Sequence, residues 1–182
     1  EIIMSKKVIA IFTGNRAEYG LQFPILRAVK NHPDLEYKLL VSGAHLDDNF
    51  GRTLEEIESD GFEVHAEIDI EMDADSLFST AQAIGSGILN ISKTLAKIKP
   101  DMMVVYADRF EGLAAVIAST QMNIPTAHIE GGDLTEGAGG RAFFQLHRAD
   151  TITAQTVAGL RSGTRMHDGR RPQATTTAHC LA

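Results

Sequence analysis

The sequence predicts an α/β protein with a doubly wound parallel sheet, and three observations support this prediction. Short apolar runs of strand length recur along the chain up to about residue 130. Helical patterns of apolar residues lie between these runs, so strands and helices alternate as in βαβ units. Charged or glycine-containing segments follow several of the runs directly. In open α/β sheets, ligands bind at that carboxyl edge.

The first part of the chain alternates strands and helices in short units. Apolar runs of strand length and apolar residues at helical spacing predict these elements. They are strand Lys7–Phe12, helix Glu18–Asn31, strand Tyr37–Val41, helix Asp47–Asp60 and strand Phe62–Ile70. Pro24 is expected near the first turn of its helix, where proline is tolerated. The alternation of apolar and acidic residues in the third strand predicts an exposed sheet edge.

A long helical pattern, Asp73–Lys99, dominates the middle of the chain. Gly85 and Gly87 interrupt it and predict either a kink or a close approach of another backbone. Its expected core positions are Leu77, Phe78, Ala81, Ile84, Ile88, Ile91, Leu95 and Ile98. A strand at Met102–Tyr106, a helix with Phe110, Leu113, Ala114, Ile117 and Ala118 on one face, and a fifth strand ending near His128 complete the pattern.

The simplest strand order for this pattern is 3-2-1-4-5, which makes strands one and four neighbours at the switch point. Their following loops, residues 14–18 and 107–109, should then face each other. Strand five would add His128, Glu130 and Asp133 nearby. The pattern alone therefore predicts that arginines and acids converge at one edge of the sheet.

The chain changes character after about Gly137. Lysine and glutamate are absent beyond Glu136, and Arg, Thr, Ala, Gly and His dominate. Weak helices at Ala142–Leu146 and Ala149–Leu160 are the most that the pattern predicts. We therefore divide the chain into a Rossmann-like domain, residues 1–136, and an atypical tail, residues 137–182.

Composition excludes several classes of function. The formal net charge of −7 over 182 residues argues against a nucleic-acid-binding face. The single cysteine, Cys180, allows no internal disulfide and fits a reducing cytoplasm. No apolar stretch is long enough to span a bilayer, and the first residues do not resemble a signal peptide.

The candidate site residues each have a structural alternative. Arg16 is either a phosphate-binding side chain at a helix N-terminus or a surface arginine. Asp108, Arg109 and Glu111 form either a ligand site or an ion pair that caps the next helix. His128 alone is more simply a core histidine, whereas a buried Glu130 needs a reason. A Cys/His metal cluster and the G-x-S-x-G hydrolase motif are both absent from the sequence.

The segments GNRAEYG, SGAHL, DRFEGLAA and MNIPTAHIEGGDLTEG occur in this order and together resemble the hydrolysing UDP-N-acetylglucosamine 2-epimerases of sialic-acid biosynthesis. The resemblance covers about Lys6–Glu136. Epimerases that act on UDP-diacetamido sugars share these motifs. The resemblance implies the N-terminal half of a two-domain glycosyltransferase-B fold, a UDP-sugar substrate, no metal or NAD, and a homodimer through the first domain.

The resemblance also implies roles for individual residues. Asp108 and Glu130 would be the acid/base carboxylates, and Arg16 would contact the nucleotide phosphates. His45 would lie in the sugar site. Arg109, with Glu111 and His128, would belong to the substrate site, Arg109 contacting substrate or pairing with a carboxylate.

The sequence departs from the family pattern in several places. Ala107 stands where the family usually has glycine, and a third catalytic carboxylate has no match after the EGG motif. The family's second domain has no counterpart, and the composition change predicts a truncated or altered reading frame from about Gly137. Weak or absent activity of this chain is therefore expected. The alternatives are a non-catalytic nucleotide-sugar-binding or oligomerisation module and another glycosyltransferase-B-like half domain.

Overall fold

A computed structural model of the chain describes residues 5–47, 53–70, 76–106 and 109–129, together with the backbone of Thr151–Thr153. The strands are β1 Lys7–Thr13, β2 Leu35–Ser42, β3 Val64–Ile68, β4 Met102–Tyr106, β5 Thr126–Ile129 and β6 Thr151–Thr153. The helices are α1 Arg16–Lys30, α2 Leu54–Ser59, α3 Leu77–Ile98 and α4 Phe110–Gln121, and a 3₁₀ turn spans Gly43–His45.

All paired strands run parallel, in the order β3-β2-β1-β4-β5-β6. This confirms the predicted order 3-2-1-4-5 and the edge position of β3. The sixth strand, Thr151–Thr153, corrects the prediction of a helix over Ala149–Leu160. Threonine and isoleucine are β-branched, which favours the extended backbone that these residues adopt beside β5.

Helices cover both faces of the sheet because successive strand residues point to opposite sides. Ile9 and Ile11 of β1 pack in the cluster that includes Leu26 of α1 and Ile57 of α2. Ala10 and Phe12 pack in the opposite cluster, with residues of α3 and α4. This arrangement explains why β1 reads as a continuous apolar run rather than an alternating one.

Helix α1 begins at Arg16, two residues earlier than predicted, because Asn15 caps it. The Asn15 side chain accepts a hydrogen bond from the Glu18 amide at 3.0 Å. Pro24 therefore lies in the interior of α1, and the prediction that it sits near the first turn was wrong. Its missing N–H faces the turn that contains Gly20, and both residues are exposed.

The other predicted helices are shorter than their patterns. Helix α2 begins at Leu54, not Asp47, and a 3₁₀ turn over Gly43–His45 follows β2 directly. Ser76 caps α3, and its hydroxyl accepts from the Ser79 amide at 3.1 Å. The helix is continuous through Gly85 and Gly87.

Three of the core positions predicted for α3, namely Leu77, Phe78 and Ala81, are exposed, so the prediction was wrong for them. Leu77 and Phe78 are 88% and 72% exposed, whereas Ile91 and Leu95 are fully buried. Helix α4, with 12 residues, is too short to lie along all 22 residues of α3. The apolar periodicity therefore predicts the buried positions correctly in the second half of α3 but not in its first turns.

Candidate functional site at the carboxyl edge of the sheet

Three loops meet around Gly14, which follows β1. We call Gly14, Glu18, Gly43, Arg109 and Glu111 the Gly14 junction. A Cβ atom added at Gly14 would lie 3.4 Å from Glu111 Cβ and 3.4 Å from Glu18 Oε2. The start of α4 and the start of α1 thus touch the same residue. Residues that follow the neighbouring strands β1 and β4 are therefore in contact, in line with the predicted strand order, whereas residues 107 and 108 lie outside the described part of the chain.

Gly43 brings the loop after β2 to the same point. Its φ of +57° is one that L side chains rarely adopt, and an added Cβ would lie 2.8 Å from the Gly14 carbonyl oxygen. The next amide, of Ala44, donates to that same oxygen at 2.9 Å. Glycine is therefore required here both by backbone conformation and by space.

Glu18 is a buried carboxyl group within the junction, only 6% exposed. Its Oε2 accepts a hydrogen bond from the Gly14 amide at 2.8 Å. Burial raises the pKa of Glu18 to about 7, and the charge of Glu111 adds to the effect, while the Gly14 hydrogen bond and Arg109 oppose it. Glu18 is thus an acid that exchanges its proton near neutral pH.

Arg109 and Glu111 form a bidentate ion pair at the start of α4. Arginine Nη2 lies 2.8 Å from Oε1, and Nε lies 3.2 Å from Oε2. The Glu111 side chain is 1% exposed, whereas that of Arg109 is 43% exposed. The arginine therefore neutralises a buried acid and still presents part of its surface to solvent.

Arg16 lies at the first position of α1 and is paired across to α2. Its Nε lies 2.8 Å from Glu56 Oε2, with 72% of the Arg16 side chain exposed. One turn later, the Tyr19 hydroxyl donates to Asp60 at 2.7 Å. Burial and the Asp60 hydrogen bond raise the pKa of Tyr19. These two links join α2 to the beginning of α1.

His45 is fully buried at the end of the 3₁₀ turn. Its Nε2 is 3.0 Å from the Thr13 hydroxyl, and its Nδ1 is hydrogen-bonded to the Thr53 hydroxyl. Burial lowers the pKa of His45 to about 4, which keeps the ring neutral near pH 7. The imidazole therefore links β1 to the residue before α2, with both nitrogens engaged by protein groups.

The remaining predicted site residues lie at the ends of β4 and β5. His128 is 3% exposed on β5 and pairs in register with Val105 of β4. Asp108 and Glu130, the predicted acid/base carboxylates, lie outside the described residues. The structure thus brings Glu111 and Arg109 to Gly14, and it places Arg16, His45 and His128 at the carboxyl ends of β1, β2 and β5.

A shallow cavity of about 250 Å³ lies away from this edge, beside the amino-terminal part of β2. Two of its lysines are already engaged: Lys30 donates to the Gly61 carbonyl at 2.6 Å, and Lys38 pairs with Glu36 at 2.6 Å. We therefore locate the candidate site at the Gly14 junction, where buried charges and neighbouring strand ends coincide.

Two searches gave negative results for the described residues. No group of three or more His, Cys, Asp or Glu side chains in this part of the chain is arranged to hold a metal ion. None of the described helices is both long enough and apolar enough to cross a bilayer.

Sequence reasoning had assigned no role to Glu18, Gly43 or Glu56. The spacing Asn15-x-x-Glu18 is that of a capping box, which was a usable signal for Glu18. The positive φ of Gly43 and the ion pair that Glu56 of α2 makes with Arg16 have no comparable signal in the local sequence.

The fold and this edge define a Rossmann-like α/β protein of the glycosyltransferase-B type, as seen in structurally similar epimerases. The UDP-N-acetylglucosamine 2-epimerase family matches residues 27–139, and the chain belongs to this family.

Individual relatives agree with the family assignment. A UDP-N,N'-diacetylbacillosamine 2-epimerase (hydrolyzing) from Legionella pneumophila is 35% identical over 71% of this chain and 34% of its own length. A UDP-N-acetylglucosamine 2-epimerase from Neisseria meningitidis serogroup B is 32% identical over 71% of this chain and 33% of its own. The chain spans about a third of the length of these relatives.

The solved structure of UDP-GlcNAc 2-epimerase from Neisseria meningitidis bound to UDP-GlcNAc shares the fold. It superposes with a TM-score of 0.63 at 21% identity, covering 75% of this chain and 37% of that one.

Proposed function

We propose that this chain provides the N-terminal, Rossmann-like part of a hydrolysing UDP-N-acetylglucosamine 2-epimerase, which converts UDP-GlcNAc into N-acetylmannosamine and UDP. The observation that carries the proposal is the Gly14 junction, where three loops after parallel strands meet with paired charges. A cation at the start of α1, Arg16, stands next to that junction in the chain. Such an edge suits a negatively charged, nucleotide-linked substrate.

The proposed reaction has two stages. A carboxylate removes the proton from C2 of the sugar while the bond from C1 to the UDP oxygen breaks, which gives 2-acetamidoglucal and UDP. Water then adds across the double bond, hydroxyl to C1 and hydrogen to C2, and yields N-acetylmannosamine. A positioned carboxylate and cationic stabilisation of the leaving diphosphate are the needs of this chemistry.

Asp108 and Glu130 are proposed as the acid/base pair. In the chain, they follow Tyr106 and Ile129, whose Cα positions are paired between β4 and β5. Arg16 is proposed to bind the diphosphate, after releasing Glu56. These assignments rest on the family motifs together with the parallel pairing of the strands that precede them.

The geometry modifies the roles proposed for three other residues. Arg109 holds Glu111 through two of its guanidinium nitrogens, Nε and Nη2, so we propose that it shapes the site through this carboxylate. Buried His45 is proposed to position β1 and α2, rather than to contact the sugar. His128, also buried, is proposed to support the strand that precedes Glu130.

A second candidate keeps the chemistry and changes the sugar. The Legionella relative named for UDP-N,N'-diacetylbacillosamine is 35% identical, slightly more than the Neisseria relative at 32%. We therefore include a UDP-diacetamido sugar as the alternative substrate. A homodimer through this domain and a cytoplasmic location complete the proposal.

The test is a coupled assay for UDP release by this chain, with UDP-GlcNAc and UDP-diacetylbacillosamine offered separately. Asp108→Asn and Glu130→Gln are the catalytic variants. Release of UDP with the N-acetylated sugar, lost in both variants, would support the enzymatic proposal. The faster substrate decides between the two sugars. Binding of either substrate without turnover by the purified chain would instead favour a nucleotide-sugar-binding module.

A further inference from the structure

Glu18 sits in a hydrogen-bond arrangement that links the α1 N-terminus to the loop before it. Its backbone amide donates to the Asn15 side chain at 3.0 Å, and its carboxylate accepts from the Gly14 amide at 2.8 Å. This is a capping box in which the carboxylate reaches one residue further back than the usual partner. Glu18 thereby fixes the backbone on both sides of Asn15, immediately before Arg16.

The surroundings of Glu18 contain few opposing charges. From the start of α4, Glu111 and Arg109 face the junction, and their ion pair is largely self-neutralised. His45, which bonds to the neighbouring residue Thr13, is neutral near pH 7 because burial lowers its pKa to about 4. Arg16, on the same loop, is engaged by Glu56. Arg109 does act on the Glu18 carboxyl and lowers its pKa, but it also pairs with Glu111.

An anion that binds at this loop would act on Glu18 directly. A diphosphate beside the amides of residues 14–16 adds negative charge close to a buried carboxylate, and like charges favour the protonated form. A protonated carboxyl keeps an acceptor oxygen for the Gly14 amide and gains a donor. The loop can thus keep its geometry while the charge of Glu18 changes.

We propose that Glu18 is a positioning residue for the loop formed by residues 14–16, and that its carboxyl takes up one proton from solvent when the diphosphate of a UDP-sugar binds there. This inference rests on the proposed function, since it takes a UDP-sugar as the ligand. The proton returns to solvent when UDP leaves. A simple helix cap would stabilise α1 equally but would not couple ligand binding to pH.

The first measurement is the Kd of UDP by calorimetry at pH 6 and pH 8, for the wild-type chain and for Glu18→Gln. Glutamine keeps the shape and the acceptor oxygen, and it cannot titrate. Suppose that ligand raises the pKa of the Glu18 carboxyl by about one unit from about 7. The Kd should then rise about fivefold more in the wild type than in the variant between pH 6 and pH 8. The UDP phosphate itself titrates near pH 6, so only the difference between the proteins is informative.

Glu58→Gln, at an exposed site on α2, is the matched control and should behave as the wild type. Calorimetry in buffers of different ionisation enthalpy should show proton uptake near pH 7 in the wild type and Glu58→Gln, with less in Glu18→Gln. Equal pH dependence and equal proton uptake in all three proteins would overturn the proposal.

The Gly14 amide provides a readout without ligand. Its NMR shift should titrate near neutral pH in the wild type, and this inflection should vanish in Glu18→Gln. If UDP fails to bind the wild type, the proposed function and the proton uptake both fall. The Gly14 titration then decides whether Glu18 still positions the loop, and a flat wild-type titration would overturn that part as well.

Discussion

Arg109 engages both carboxylate oxygens of Glu111, two residues further along the chain, at 2.8 and 3.2 Å. Glu111 is buried and Arg109 is partly exposed, so the arginine covers the buried carboxylate on its solvent side. The pair therefore belongs to the stability of the loop as much as to its chemistry.

Removal of Arg109 should destabilise the fold. Arg109→Ala leaves an ionised carboxyl buried beside Gly14, and we expect the free energy of unfolding to fall by about 1–3 kcal/mol. Arg109→Lys should recover only part of this loss, because lysine cannot make the two parallel bonds. Urea denaturation at pH 7 measures both. An unchanged midpoint for Arg109→Ala would show that the ion pair contributes nothing.

Two glycines of α3 form a matched pair for a packing test. An added Cβ at Gly87 would lie 2.9 Å from Ala114 Cβ and 3.1 Å from Ile70 Cδ1, whereas nothing lies within 4 Å of such an atom at Gly85. Gly87→Ala should therefore cost about 1–3 kcal/mol. Gly85→Ala should add about 0.5–1 kcal/mol through helix propensity. Thermal unfolding of both variants checks the contrast; shifts of the same sign would contradict it.

Glu18 and His45 should give opposite pH dependences of stability. Burial raises the pKa of Glu18 from 4.5 to about 7 and lowers that of His45 from 6.5 to about 4. The Glu18 contribution is complete below pH 4.5 and is lost as the pH rises to about 7. The His45 contribution is complete above pH 6.5 and is lost as the pH falls to about 4.

Between about pH 4.5 and 6.5, the two contributions change the free energy of unfolding in opposite directions as the pH rises. Substitution of either residue should therefore expose the pH dependence that the other residue causes. In Glu18→Gln, the free energy of unfolding should rise by about 2–3 kcal/mol across this window, relative to the wild-type profile. His45→Gln should show a relative fall. Urea titrations at a series of pH values measure this, and parallel profiles for all three proteins would contradict both pKa shifts.

Glu56 should compete with ligand for Arg16. The pair is exposed on both sides, so Glu56→Gln should change the free energy of unfolding by less than about 1 kcal/mol. If Arg16 binds the diphosphate, loss of the competing carboxylate should tighten UDP binding about two- to fivefold. Glu55→Gln, exposed on the same helix, is the control. Weaker binding by Glu56→Gln would mean that Glu56 orients Arg16 for the ligand instead.

The strand order could be predicted because apolar runs, helical periods and chain direction allow few arrangements of a βαβ chain. The meeting of the loops after β1 and β4 followed from that order. The exposure of Leu77 and Phe78 could not be predicted in this way, because it depends on how far the shorter α4 extends along α3. Periodicity identifies a helix face but not the length of its partner.

The hydrogen bonds and ion pairs between side chains of the site could not be predicted from the sequence. Arg109 and Glu111 were expected near each other, yet their bidentate pairing depends on distances of a few tenths of an ångström. His45 stood in the sequence as a candidate site residue, and only the positions of Thr13 and Thr53 show how its nitrogens are used. Asp108 and Glu130 remain sequence predictions.

The hydrogen bonds of His45 also have a consequence for protein engineering. The chain leaves β2 at Ser42, and the His45 imidazole bonds to Thr53, the residue before α2. This hydrogen bond holds the two ends of the intervening segment together, whatever the length of that segment. In general, doubling the length of a loop costs only about 0.6 kcal/mol in closure entropy. A peptide tag inserted between His45 and Thr53 should therefore leave the strands of the sheet in place.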